Sequence, residues 1–324
     1  MQGEKITLYH ATNLTVEKSE AKMPTHLSKH TAKPFVKWAG GKGQLIEKLN
    51  LQYPSELLNG KITNYIEPFV GGGAVLFDVL QKFPIAHAVI IDVNAELINC
   101  YRCIKENVAE MINRLHALQN EFYALSSAEQ AKMFDDVRKK YNATRLQNLC
   151  DFEKATQFIF LNRTCFNGLY RVNSKGAFNV PYGRYAKPTI CDKENLILVS
   201  GLLQRVDILH GDYTLCLNFA DAGSFVYLDP PYRPITETQS FVGYASGGFN
   251  DQNQIELAAV ISELRGRWCK IMLSNSDPKN VNVNDNFFDD LYSGLTISRI
   301  TARRMINCQA DRRGEVTELL VCNY

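Results

Sequence analysis

The residues best suited to chemistry in this chain of 324 amino acids are Asp229, Pro230, Pro231 and Tyr232. They follow directly on the apolar run Phe225 to Leu228, which reads as a buried parallel strand. In an open α/β sheet, ligands bind beyond the carboxyl ends of the strands, so an acid, two rigid residues and an aromatic ring stand where a reaction would occur. The prolines fix the backbone, letting a main-chain carbonyl and the Asp229 carboxylate converge on one amine. Tyr232 offers a face to a planar base. The bland alternative is a proline turn without function.

A second group is Glu67-Pro68-Phe69-Val70-Gly71-Gly72-Gly73-Ala74, followed about 20 residues on by Asp92. A glycine turn allows close approach of a ligand to backbone, and an acid at the end of the next strand can accept bonds from both ribose hydroxyls. That combination implies an adenosine-containing cofactor. The dinucleotide form of the motif is matched only loosely, because Leu76 stands where Gly or Ala belongs. S-adenosylmethionine, which has no pyrophosphate to cradle, therefore gains over NAD. The alternative is a structural turn with Asp92 as a helix cap. A third group, Gly40-Gly41-Lys42, is not a phosphate loop, since Val36 and Gly43 occupy positions that need Gly and Ser or Thr. Lys42 is expected to meet a carboxylate, or an isolated anion at a helix start.

The elements that must hold these residues follow from periodicity. Phe35 to Trp38 leads into the first glycine loop, and Leu45, Ile46 and Leu49 recur at helical spacing after it. Asn64 to Val70 reads as a strand, Ala74 to Phe83 as a helix and Ala86 to Asp92 as a buried strand, together a βαβ unit. Ala95 to about Arg163 is helical and lacks strand signals. Within Asn162 to Tyr185, turn formers alternate with aromatics, the pattern of a loop and hairpin. Strands resume at Val206 to Leu209, Phe225 to Leu228, Cys269 to Leu273, Thr296 to Thr301 and Glu318 to Cys322, with a helix over Asn253 to Arg265. A doubly wound α/β sheet split by an insertion accounts for this order. Residues 1–30 show no sustained periodicity and read as a tail.

Composition excludes other classes. With 45% hydrophobic and 22% charged residues, the chain is neither disordered nor of low complexity. It has no apolar stretch of membrane-spanning length and no apolar signal core near Met1, so a cytoplasmic location is expected. Nine cysteines at irregular spacing suit reduced thiols, and the Cys100–Cys103 pair lacks the further ligands of a metal site. Net charge is only +2, yet the stretch from Arg138 to Lys187 carries ten basic residues against Asp151 and Glu153. Such a patch suits a surface that meets a polyanion, or a solvated face.

Four segments, in order, resemble the DNA adenine methyltransferases of the Dam type, in the alpha group of amino-methyltransferases: Phe35-Val36-Lys37-Trp38-Ala39-Gly40-Gly41-Lys42, Glu67 to Ala74, Asn167-Gly168-Leu169-Tyr170-Arg171 with Phe178-Asn179-Val180-Pro181, and Asp229-Pro230-Pro231-Tyr232. The resemblance runs from about Lys33 to Tyr324, with support from Asp92-Val93-Asn94 and Glu318-Leu319-Leu320. It implies a Rossmann-like, S-adenosylmethionine-dependent methyltransferase sheet (33–94 and 187–324), preceded by an extension (1–32) and interrupted by a mainly helical target-recognition domain bearing a β-hairpin (95–186). The cofactor pocket maps to Trp38, Lys42, Glu67, Pro68, Phe69, Gly71, Gly73 and Asp92, with Asp212 and Tyr213 about the adenine and Asp229 shared with catalysis. Catalysis maps to Asp229, Pro230, Pro231 and Tyr232. Target reading maps to Phe166, Asn167, Leu169, Arg171, Pro181 and Tyr185, with Lys37 on the outer base pair and Lys139 and Lys140 on phosphates. The implied partner is double-stranded DNA carrying GATC, bound by a monomer that has no metal and that could work beside a restriction endonuclease. Two rivals are a methyltransferase of RNA or a protein amide and an inactive DNA-binding relative. The basic hairpin and the acid at Asp229, where amide-modifying relatives usually have Asn, oppose the first; intact Lys42, Asp92, Asp229 and Tyr232 oppose the second.

Overall fold

The computed structural model describes residues 31–144, 146, 150–233, 249–303 and 315–324; the tail expected over 1–30 lies outside them, as does Arg145 of the basic stretch. Residues 31–324 form one compact unit. Its centre is a seven-stranded sheet of β1 (Asn64–Glu67), β2 (His87–Asp92), β3 (Val206–His210), β4 (Ser224–Leu228), β5 (Lys270–Ser276), β6 (Thr296–Arg303) and β7 (Glu315–Cys322). The order is β3-β2-β1-β4-β5-β7-β6, with β1 to β5 parallel and β7 antiparallel to both neighbours. This is a mixed α/β sheet, consistent with the Rossmann-like sheet expected from sequence. The central strands read as continuous apolar runs because both of their faces are buried. Tyr65, Ala88, Ile90, Phe225 and Tyr227 face one layer, while Ile66, Val89, Ile91, Val226 and Leu228 face the other.

The helices are α1 (Ile46–Asn50), α2 (Ser55–Leu58), α3 (Ala74–Lys82), α4 (Ala95–Glu106), α5 (Val108–Ala124), α6 (Ser127–Ala143), α7 (Phe152–Thr164), α8 (Lys193–Leu203), α9 (Asp251–Gly266) and α10 (Phe287–Leu291). Polar residues start most of the long ones. Asn94, Asn107, Asp151 and Asp192 each accept a backbone N–H from the first turn of α4, α5, α7 and α8, and Glu129 reaches back to the Ser126 amide before α6. The crevice that matters opens where β1 and β4 lie side by side. From β1 the chain returns through α3 to β2 on one side, and from β4 through α9 to β5 on the other, which leaves the carboxyl ends of β1 and β4 uncovered by crossovers.

Three local expectations change. β1 ends at Glu67 rather than Val70, because Pro68 has no N–H for the ladder and the glycine turn follows. The helix α8 was not expected; its apolar run Leu196-Ile197-Leu198-Val199, with Gly201 close behind, lacks a clear polar face at helical period. The hairpin is the third. No strand ladder forms there among the described residues, and the excursion after Thr164 is held by two isolated antiparallel bridges, Cys165 to Tyr182 and Val172 to Phe178. Turns at Gly168 and Gly176 break the ladder, and Asn142 of α6 takes both backbone groups of Phe178 through its side chain, at 2.8 and 3.0 Å. The helical stretch from Ala95 to Arg163 is present as α4 to α7. The first of these packs on the sheet edge, where Arg102 and Lys105 donate to the carbonyls of Ile208 and Val206 in β3. Cys100 and Cys103 lie buried in α4 as free thiols. Among the described residues, no helix is long and apolar enough to cross a membrane.

Candidate active site and nucleic-acid interface

Asp229 leaves the end of β4, and its charge is met from far along the chain. The Lys42 ammonium donates to both carboxylate oxygens, at 2.6 and 2.7 Å, and also to the Gly40 carbonyl at 3.0 Å. Lys42 is 3% exposed and the Asp229 side chain 18%, so the pair lines the floor of the crevice. Ser274, on neighbouring β5, donates to Asp229 at 3.0 Å. Burial pushes the Asp229 carboxyl above its ordinary value, while Lys42 pulls it back. The expectation that Lys42 meets a carboxylate is thus realised with the acid of the Asp229-Pro230-Pro231-Tyr232 motif.

Tyr232 is fixed beside this pair. Its hydroxyl donates to Glu318 of β7 at 2.7 Å, and the Lys42 ammonium lies 4.9 Å from its ring centre. The next residue, Arg233, grips Asp251 through two bonds and Asp285 through a third, and stacks on Phe287. The proline corner therefore has an anchor at each end. Pro230 is buried and Pro231 exposed. Beneath it, Glu67 is 2% exposed and accepts from the Tyr65 hydroxyl at 2.7 Å; burial drives its carboxyl well above the usual range.

The glycine turn forms the adjoining wall. Gly71 and Gly73 hold φ of +47° and +76°, a region that costs other residues. Space is short as well. A Cβ on Gly71 would come 2.7 Å from the Trp38 indole, and one on Gly73 would come 2.5 Å from the Tyr101 hydroxyl, which donates to the Gly71 carbonyl. Asp92 ends β2 and accepts from the amides of Gly71 and Asn94, at 3.0 and 2.9 Å. Each of its oxygens keeps a second lone pair for a hydroxyl. Phe69 and Tyr213 stack at 5.2 Å, and Asp212 caps the short turn that carries Tyr213. The His210 ring lies 3.2 Å from the Val93 carbonyl. A turn kept free of side chains by its glycines, a carboxylate on the neighbouring strand and an aromatic pair make a set that fits a ribose and a purine.

A separate cluster gathers most of the residues expected to read DNA. Asn167 and Gly168 turn the chain with φ of +55° and +63°. The Asn167 amide donates to the Tyr185 hydroxyl at 2.9 Å, the Phe166 amide to the Pro181 carbonyl at 2.9 Å, and Lys37 stands over the Tyr185 ring at 4.8 Å. Phe166 is half exposed and Leu169 half buried. Arg171 lies further out, its guanidinium held to the side chain and carbonyl of Asn179 at 2.8 and 3.3 Å. Lys139 and Lys140 are exposed near the end of α6. Sequence reasoning missed Ser274, Glu318 and Arg233 as supports of the corner. Polar Ser274-Asn275-Ser276 ending the apolar run of β5 was a signal for the first, since that end of the sheet faces the crevice. Among the described residues, no group of His, Cys, Asp or Glu is placed to hold a metal ion.

The family model of the D12 class N6 adenine-specific DNA methyltransferases matches residues 38–306. The chain belongs to this family. N6-adenine methylation of DNA is therefore its reaction, and both motif-based expectations, of a methyltransferase and of a DNA substrate, hold. The chain is 48% identical to the Type II methyltransferase M.MjaIII of Methanocaldococcus jannaschii over 90% of its own length and 99% of that protein. It is 37% identical to the Type II methyltransferase M1.LlaDCHI of Lactococcus lactis subsp. cremoris, over 92% and 97%. To the DNA adenine methylase of Haemophilus influenzae it is 32% identical, over 89% and 92%.

Proposed function

We propose that this D12-class methyltransferase transfers a methyl group from S-adenosylmethionine to N6 of an adenine turned out of duplex DNA, within GATC. The observation that carries the reading is the pairing of Asp229 with Lys42 on the floor of the crevice beside the glycine turn. Trp38, Glu67, Pro68, Phe69, Gly71, Gly73, Asp92, Asp212 and Tyr213 would hold the cofactor, which supplies an electrophilic methyl group on a sulfonium. Asp92 would take the ribose hydroxyls, and Phe69 with Tyr213 would flank the adenine ring.

An adenine inside the duplex is out of reach of this crevice, so it must leave the stack at a cost of a few kcal/mol. Tyr232 offers its ring to the extruded base, steadied by Glu318. The N6 lone pair is delocalised into the purine. Asp229 accepts one N6 hydrogen and the Pro230 carbonyl the other, which directs the lone pair outward and stabilises the positive charge that develops on nitrogen. Holding the reactants in line supplies on the order of 7–11 kcal/mol of the barrier reduction. Residues 33–94 and 187–324 form the catalytic part in this reading, and 95–186 the target-recognition part. Its turn at Asn167, with Lys37, Phe166, Leu169, Arg171, Pro181 and Tyr185, reads bases, and Lys139 and Lys140 hold phosphates. The names of the Type II relatives support a place in restriction and modification; the same reading takes the enzyme as a monomer acting in the cytoplasm beside a companion endonuclease.

The purified protein, given S-adenosylmethionine with a labelled methyl group, should label a GATC duplex at adenine N6 and leave RNA and protein unlabelled. Digestion with endonucleases that differ in sensitivity to methylated GATC checks the site. Transfer to adenine in another sequence would overturn the GATC assignment alone; the absence of any transfer from this donor would overturn the cofactor.

A further inference from the structure

The side chain of Asn162 is 2% exposed in the last turn of α7 and joins two distant segments. Its Oδ1 accepts from the Lys37 amide at 2.8 Å, while its Nδ2 donates to the Lys37 carbonyl at 2.8 Å and to the Gly168 carbonyl at 3.0 Å. Both amide hydrogens are thereby used, and the oxygen has its donor. Only an amide of this length offers one acceptor and two donors in that arrangement. Aspartate would set an oxygen against two carbonyls. Next to it, Arg163 donates twice to the Phe35 carbonyl, so the end of α7 is fastened to Phe35 and Lys37 through both residues.

These bonds close a ring. Asn162 holds Lys37 and Gly168, Lys37 stands over Tyr185, and the Tyr185 hydroxyl takes the Asn167 amide. Within the ring, Gly168 presses on the Lys37 stem so closely that a Cβ there would lie 2.5 Å from Lys37 Cβ and 2.3 Å from Cδ. Lys37 is otherwise on an exposed connection, where a long side chain would explore many rotamers at an entropic cost on ordering. A buried amide that grips its backbone on both sides removes the main-chain part of that freedom before DNA arrives.

We infer that Asn162 is a positioning residue for sequence discrimination: it registers Lys37 against the Asn167-Gly168 turn so that both meet one end of the recognition site as a single rigid reader. Asn162 touches no DNA in this assignment and acts through Lys37. The inference rests on the reading of Lys37 and the turn as base contacts. Loss of the clamp should therefore relax discrimination at the base pair Lys37 reads, and disturb the cofactor crevice, whose wall begins at the next residue Trp38, less than it disturbs that discrimination.

The test compares Lys37→Ala, Asn162→Asp, Asn162→Ser and Gly168→Ala with the wild type. Methylation is measured on a duplex carrying the site the wild type modifies and on duplexes altered at one base pair each, and the affinity for S-adenosylhomocysteine serves as a check of folding. Lys37→Ala should lose discrimination at one base pair by about tenfold or more. The Asn162 variants that retain S-adenosylhomocysteine binding should lose it at the same base pair, with the other positions changed less. Gly168→Ala, whose added methyl would meet the Lys37 stem at a left-handed position whose carbonyl the Asn162 amide holds, disrupts the same register from the turn side; it should do the same and decides the matter if neither Asn162 variant folds. If Lys37→Ala relaxes one position while folded Asn162 variants keep full discrimination, or merely slow all substrates equally, the inference fails and the reading of Lys37 stands. If Lys37→Ala itself leaves discrimination unchanged, both fall.

Discussion

Both oxygens of Asp229 face the Lys42 ammonium, so the protonation of one depends on the charge of the other. The reaction proposed for Asp229 needs its carboxylate. Burial raises that group above the ordinary aspartate value of 3.8, and Lys42 opposes the rise. The rate should accordingly fall on the acid side as pH drops through the raised value. Replacing Lys42 by Met removes an influence that lowers it, so the acid limb of single-turnover rates should move to higher pH. A limb that stays in place would mean that Lys42 does not tune Asp229. Asp229→Asn should slow transfer by on the order of 10²–10³-fold, the usual cost of losing one preorganised polar group, while cofactor binding persists. A turnover close to that of the wild type would remove Asp229 from the chemistry. Both members of the pair were legible in sequence, one from its place after an apolar strand, the other from its glycine neighbours. Their contact was not, because 187 residues separate them and only the sheet order brings the end of β4 to the start of the fold. Glu318 and Ser274 lay further from view still, as single polar residues on strands whose neighbours in the sheet no local pattern reveals.

At the scale of elements, legibility followed burial. β2 and β4 are buried on both faces and stand out as apolar runs, and α3 to α7 carry caps or helical periodicity, so the βαβ unit and the helical stretch after it could be read directly. The excursion between α7 and α8 could not. Its shape depends on tertiary partners such as Asn142, Asn162 and Tyr185, and its turn residues signal a hairpin whether or not a ladder forms. Arg171 belongs to this element. Asn179 holds its guanidinium along one side, which sets the orientation of the fork. If Arg171 meets a guanine edge, Arg171→Ala should cost about 1–3 kcal/mol of discrimination at one base pair and little elsewhere. Rates on duplexes altered one base at a time check this. Equal weakening on every duplex would reassign Arg171 to a phosphate.

For the whole molecule, charge and stability can be separated by salt and pH. A net charge of +2 says little, but the excess of positive charge between Arg138 and Lys187 should make DNA binding fall steeply with salt. Replacing Lys139 and Lys140 together by Ala should lower the slope of log affinity against log salt by about two if each holds a phosphate, and an unchanged slope would take both off the DNA.

Stability should carry the opposite imprint, from the crowded acids beneath the crevice. Glu67 is enclosed and its carboxyl lies well above the usual value, chiefly through burial, while the Asp229 charge adds to the rise and the Tyr65 hydroxyl and Lys42 oppose it. The fold thus favours protonated Glu67 over its ionised form. Its contribution is fully present below the unfolded value, near 4.5, and is lost as pH rises through the folded one. Gln resembles the protonated acid and can still accept from Tyr65. Without cofactor, Glu67→Gln and wild type should therefore melt close together near pH 5, and the variant should gain as pH rises. Each kcal/mol of relief should be worth about 1–2 °C in Tm for a chain of this size. Other acids of the crevice titrate in both proteins, so the difference between the two curves isolates Glu67. A difference that does not change between pH 5 and 9 would mean that Glu67 is charged and compensated within the fold, with Lys42 shared between two carboxylates rather than devoted to Asp229.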